Sequence, residues 1–142
     1  MSRFLLLLLL AAPAFAQPPQ DAVLNPGRAG EAFELRYHLK AGQVNIVHFD
    51  TGRCGLCPAT AASLGKLCTT YPQYAYRYVE VGSRESPLAR QFNITGPFGF
   101  QIYDGEGRLL AAGAKAYQWL ENLYRETHFP DRGHFRASSP TP

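Results

Sequence analysis

The chain has 142 residues and a net charge of +3 with its histidines neutral, and 46% of its residues are hydrophobic. That is the size of one small domain with enough apolar residues for one core. Its basic residues are scattered, with no run or stripe, which leaves no electrostatic footprint for a nucleic acid.

The chain opens "MSRFLLLLLLAAPAFAQPP". Arg3 is a short positive start, Phe4 to Leu10 an apolar run, and Ala14-Phe15-Ala16 a small-x-small cleavage site. This is the anatomy of a secretory signal peptide over residues 1–16. The run is shorter than the roughly 20 residues of a membrane span. Gln17 is the expected mature N-terminus, and loss of Arg3 would lower the net charge to +2. Residues 17–30 and 130–142 are rich in Pro, Gly and Ser without apolar periodicity. They are expected to be a flexible lead-in and a disordered tail around a domain at 31–129.

"AFELRYHL" (32–39) alternates, with Phe33, Leu35, Tyr37 and Leu39 on one face, and predicts a half-buried strand. "VNIVHF" (44–49) is β-branched and apolar, as a buried central strand requires. "PATAASLGKLCTTY" (58–71) predicts a helix, with Leu64, Leu67, Cys68 and Tyr71 on one side, Gly65 as a weak spot and Pro72 as the stop. "YAYRYVEV" (74–81) reads as a strand; the alternating run Tyr71, Tyr74, Tyr76, Tyr78 is explained by two faces of this strand and its lead-in. "SPLARQF" (86–92) predicts a short helix capped by Ser86 with Pro87 in its first position. "FGFQIYD" (98–104) and "RLLAA" (108–112) form a hairpin about "GEG", and "AKAYQWLENLYRE" (114–126) predicts an amphipathic helix. Strand–helix–strand units imply parallel pairing, and the hairpin adds antiparallel strands. The fold class is α/β, a mixed central sheet with helices on both faces.

Cys54 and Cys57 lie in "HFDTGRCGLCPAT", after a buried strand and at the opening of a helix. Unpaired N–H groups and the helix dipole there favour a thiolate, as does the adjacent Arg53. Cys57 is one turn on, close enough to close a disulfide with Cys54. Haem attachment would need a histidine where Pro58 stands. A structural zinc site needs four ligands, and no second close pair is present. A purely structural disulfide would close a loop too small to constrain the unfolded chain much. Cys68 is eleven residues beyond Cys57 on the same predicted helix. That is about 16 Å, too far for a disulfide, so Cys68 is expected to be a buried, inert thiol.

Through "VNIVHFDTGRCGLCP" and "SPLARQFNITGPFGFQIYDGEGRLL", with the order of elements, residues 33–125 resemble secreted or periplasmic thiol–disulfide exchange proteins of the thioredoxin superfamily. The resemblance implies a three-layer thioredoxin-like sandwich with no bound cofactor. It implies exchange with protein thiols and disulfides, Cys54 attacking and Cys57, more buried, resolving. It further implies a monomer in the bacterial periplasm, supplied with electrons by a membrane donor if it acts as a reductase. The second function considered is a non-catalytic binding module, or a copper or zinc metallochaperone using Cys54, Cys57 and His48.

Three positions depart from the family pattern. Arg53 replaces the usual aromatic before the first cysteine. His48 replaces a buried acid six residues before it; a neutral imidazole could accept the proton of Cys57, or simply pack. The family's cis-proline falls at Phe98 on an ungapped alignment, whereas the chain has Pro97. Either Gly96–Pro97 is cis after a one-residue shift, or it is trans. Arg53, Gly96, Pro97 and Phe98 are the expected substrate-binding residues.

Overall fold

The computed structural model describes residues 17–129; the expected leader over residues 1–16 and the tail over 130–142 lie outside them. Four strands form one sheet: β1 (Val44–Asp50), β2 (Tyr74–Glu80), β3 (Phe98–Tyr103) and β4 (Leu109–Ala112), in the order β2-β1-β3-β4. The helices are α1 (Cys57–Thr70), α2 (Pro87–Gln91) and α3 (Ala114–His128). β1 runs parallel to β2, with His48 opposite Tyr78, and antiparallel to β3, with His48 opposite Phe100. β3 and β4 form the expected hairpin. The run of β-branched and apolar residues in β1 places it between two neighbours, and all of its residues after Val44 are buried.

Because side chains alternate along a strand, the sheet has two distinct faces. Ile46, Tyr76, Phe100 and Ile102 meet Ala61, Leu64 and Leu67 of α1 and Ala116, Leu120 and Leu123 of α3. Val47, Phe49, Val79 and Val81 face Leu24, Leu35, Ile94 and the α2 residues Leu88 and Ala89. Each fully buried leucine stabilises such a layer by about 1.5–3 kcal/mol. α2 is short and its cap matters: the Ser86 hydroxyl accepts the Ala89 N–H at 3.1 Å, and Pro87 supplies the first helical residue. Among the described residues no helix is long and apolar enough to cross a membrane.

The strand expected over residues 32–39 is not formed. Residues Leu35–His38 make a 3-10 turn, with Leu35 buried and Tyr37 73% exposed. The outer edge of β2 is occupied by the segment that precedes residues 32–39 in the chain. Leu24 N–H donates to the Tyr78 carbonyl and Gly30 N–H to the Glu80 carbonyl, both at 2.9 Å. The Asn25 side chain grips Glu80 at both its N–H and its carbonyl. This also corrects the expectation of a flexible segment over 17–30, where Ala22, Leu24 and Asn25 are buried. Prolines and glycines there fit the chain to the sheet edge. Gly65, read as a weak spot of α1, is where that segment crosses the helix: a Cβ at Gly65 would come within 2.9 Å of the Pro19 ring.

Candidate active site

β1 carries the chain to Asp50 at the end of the sheet, and a short loop leads into α1. The Asp50 carboxylate accepts the Gly52 N–H at 2.7 Å and the Tyr78 hydroxyl at 2.6 Å, which pins the start of that loop to β2. Gly52 turns there with φ 77°, a conformation open to glycine at little cost. Thr51 donates both its N–H (3.1 Å) and its hydroxyl (2.6 Å) to the Pro97 carbonyl, tying the loop before β3 to the same point.

Cys54 and Cys57 are joined in a disulfide, with Cα atoms 5.3 Å apart. Cys57 is the first residue of α1 and is 1% exposed; Cys54 is half-buried and Arg53 exposed. Leu56, between the cysteines, is 75% exposed. A partner approaching the disulfide therefore meets Cys54, with a cation and an apolar side chain close by in the chain.

Behind Cys57 lies His48, with no exposed surface. Its Nε2 is 3.3 Å from the Cys57 sulfur and its Nδ1 is 2.8 Å from the Tyr76 hydroxyl. Phe100 stacks on the ring at a centroid distance of 4.5 Å, and Tyr78 and Phe98 meet it edge-on. Burial in this aromatic box lowers the His48 pKa from 6.5 to about 4, against a smaller opposing pull from the Asp50 charge. The imidazole is neutral at neutral pH. Burial also holds the Tyr76 and Tyr78 hydroxyls well above the ordinary tyrosine range, helped by the nearby Asp50 charge, so both keep their protons.

No protein-family model matches the sequence, and no curated protein matches it. Solved structures do resemble it. A designed protein superposes with a TM-score of 0.55 at 21% identity, over 78% of this chain and 96% of that one. Thioredoxin f2 of Chlamydomonas reinhardtii gives 0.51 at 20% identity, over 76% and 95%. Thioredoxin of Trypanosoma brucei brucei gives 0.51 at 12% identity, over 84% and 96%. The fold is thioredoxin-like. At these identities the likeness is one of fold alone, and the chemistry rests on the residues of this chain.

Within that thioredoxin-like frame, the structure brings Cys54, Cys57 and His48 together and sets Phe98 against the His48 ring. Pro97 is tied to Thr51, and every described peptide bond, Gly96–Pro97 included, is trans. Cys68 is unpaired as a disulfide partner and only partly buried; burial still pushes its thiol up to about 11. Among the described residues no group of three or more His, Cys, Asp or Glu side chains is arranged to hold a metal ion. Tyr76, Tyr78, Asp50 and Thr51 were not singled out from the sequence. Read from the sequence, the tyrosine run divides between two faces, whereas Tyr74, Tyr76 and Tyr78 have the same parity and line one face, with Tyr76 and Tyr78 beside His48. That parity, set against the register of β1, was the available signal.

Proposed function

We propose that the protein is a thiol–disulfide oxidoreductase acting on protein thiols and disulfides in an extracytoplasmic compartment. The observation that carries this reading is a disulfide between a half-buried residue, Cys54, and a fully buried one, Cys57, backed by a neutral imidazole. In the reductive direction the Cys54 thiolate attacks a substrate disulfide, and one substrate sulfur departs as a thiolate that water protonates. The Cys57 thiol then passes its proton to His48 Nε2 while its sulfur attacks Cys54. The bond from Cys54 to the substrate breaks, the second substrate thiolate leaves and is protonated, and His48 returns its proton to water. The sum is protein dithiol plus substrate disulfide giving protein disulfide plus substrate dithiol.

In this reading Arg53 and the Gly96, Pro97 and Phe98 stretch receive the substrate chain, and the protein works as a monomer without a cofactor. A membrane thiol donor restores the dithiol. The assay is dithiothreitol-driven reduction of insulin disulfides, together with the potential of the Cys54/Cys57 pair. Exchange that vanishes in Cys54→Ser, with a reversible couple between about −270 and −120 mV, supports the reading. Absence of both overturns it. Export is tested by fusing residues 1–30 to alkaline phosphatase, which gains activity only where disulfides form.

A further inference from the structure

The proton arrangement around His48 follows from the sulfur it faces. A disulfide sulfur has no hydrogen and can only accept. The 3.3 Å contact to Cys57 therefore places the imidazole hydrogen on Nε2. Nδ1 is then a bare acceptor, and the Tyr76 hydroxyl, 2.8 Å away, donates to it. Reduction reverses the demand. Cys57 becomes a thiol in a site with almost no solvent contact, where an unpaired donor is costly. The nitrogen in reach is Nε2, which must now be bare, so the hydrogen moves to Nδ1 and the oxygen of Tyr76 must accept. A hydroxyl can serve both ways; a carboxylate could only accept, and an ammonium could only donate.

We propose that Tyr76 is the positioning residue of this site: its hydroxyl holds His48 as the Nε2–H tautomer in the disulfide form and turns to hold the Nδ1–H tautomer in the dithiol form. The inference rests on Cys54 and Cys57 being a redox pair. The groups that face His48 are Asp50 on β1, Tyr76 and Tyr78 on β2, Phe98 and Phe100 on β3 and Cys57 on α1, with Tyr117 of α3 behind the two phenylalanines. Asp50 is committed to Gly52 and Tyr78, so Cys57 and Tyr76 are the groups on the ring nitrogens. Reduction adds two electrons and two protons to the sulfur pair, one of each to each sulfur. His48 is neutral in both the disulfide and the dithiol form; apart from the proton it carries briefly during resolution, it only redistributes its hydrogen by exchange with water.

Nitrogen-15 NMR of histidine-labelled protein reads the tautomer directly, and His48→Gln assigns the His48 signals among the four histidines. On reduction with dithiothreitol, the bare-nitrogen resonance of wild-type His48 should move from Nδ1 to Nε2. In Tyr76→Phe it should stay on one nitrogen in both states, and resolution of a mixed disulfide should slow about tenfold, a modest share of what general bases supply. An unchanged wild-type tautomer on reduction, or an inversion in Tyr76→Phe like that of wild type, overturns the proposal. If Tyr76→Phe does not fold, the two wild-type spectra decide alone. Inversion without any exchange on insulin would sink the enzyme reading and spare Tyr76; exchange without inversion would do the opposite.

Discussion

Acidification puts a charge on a group that the folded chain has no means of solvating. His48 is fully buried among Tyr76, Tyr78, Phe98 and Phe100, and its pKa falls from 6.5 to about 4 because burial penalises the imidazolium. Between pH 6.5 and 4 the unfolded chain binds a proton at this position that the folded chain refuses. Stability therefore rises with pH across that window and is flat for this group on either side. At about 1.4 kcal/mol per pH unit, the contribution present at pH 7 and lost by pH 4 is about 3 kcal/mol. That is a large share of the 5–15 kcal/mol of a typical domain. The measurement is urea unfolding of the oxidised protein at half-unit steps from pH 4 to 7.5, for wild type and for His48→Gln. Every other group is common to both proteins, so the difference between the two curves isolates His48. The wild-type curve should be steeper between pH 4 and 6.5 by close to one proton. Parallel curves across that window would refute the argument that burial outweighs the Asp50 charge at this residue.

The resolving role of Cys57 predicts that Cys57→Ser accumulates a mixed disulfide between Cys54 and substrate, visible by intact mass, whereas Cys54→Ser forms none. Cys68, with its thiol pushed up to about 11 from 9.0, should react with Ellman's reagent at pH 8 about 100-fold more slowly in the folded oxidised protein than after unfolding, following its thiolate fraction. Loss of the helix cap in Ser86→Ala should cost about 1 kcal/mol in chemical unfolding. Asn25→Ala strands the Glu80 N–H that the amide oxygen now satisfies and removes one of two donors to the Glu80 carbonyl, leaving the Gly30 N–H. It should cost about 2 kcal/mol and speed amide exchange along β2.

The order β-α-β-α-β-β-α was readable because each element carries its own local signal: β-branched runs for β1, a capped proline for α2, and turn glycines between β3 and β4. The failed strand at 32–39 had the right alternation, but the β2 edge is taken by the segment before it, and edge occupancy is a property of the assembled sheet. Residues 17–30 failed for the complementary reason. Nothing in their composition shows that Leu24 and Gly30 donate to β2, because the acceptors lie about fifty residues away. The site divides along the same line. Cys54 and Cys57 are marked by their place between a strand and a helix, and His48 by the family resemblance, all within one segment, whereas Tyr76 enters only through the pairing of β1 with β2.

His48 also bears on why a histidine can stand at this depth at all. An ionised carboxylate behind Cys57 would need hydrogen-bond donors to offset several kcal/mol of desolvation; the one carboxylate nearby, Asp50, lies at the sheet's end and takes two such donors. A neutral imidazole has one donor and one acceptor, and the cavity supplies one partner for each, Cys57 and Tyr76. The Phe100 ring stacked on its face contributes packing without a further polar demand. The arrangement is satisfied with no net charge in the box, and it stays so only while the partner on Nδ1 can both give and receive a hydrogen bond. Substituting His48→Asp tests this directly. It places in the same box a carboxylate that can only accept, facing a sulfur that offers no hydrogen in the disulfide form. The oxidised protein should lose stability by several kcal/mol at pH 7 and recover part of it on acidification, as the carboxyl takes up a proton. That is the opposite sign to wild type over the same pH range. A variant that is stable at pH 7 and destabilised by acid, as wild type is, would mean that the box tolerates charge and that the neutrality of His48 is incidental.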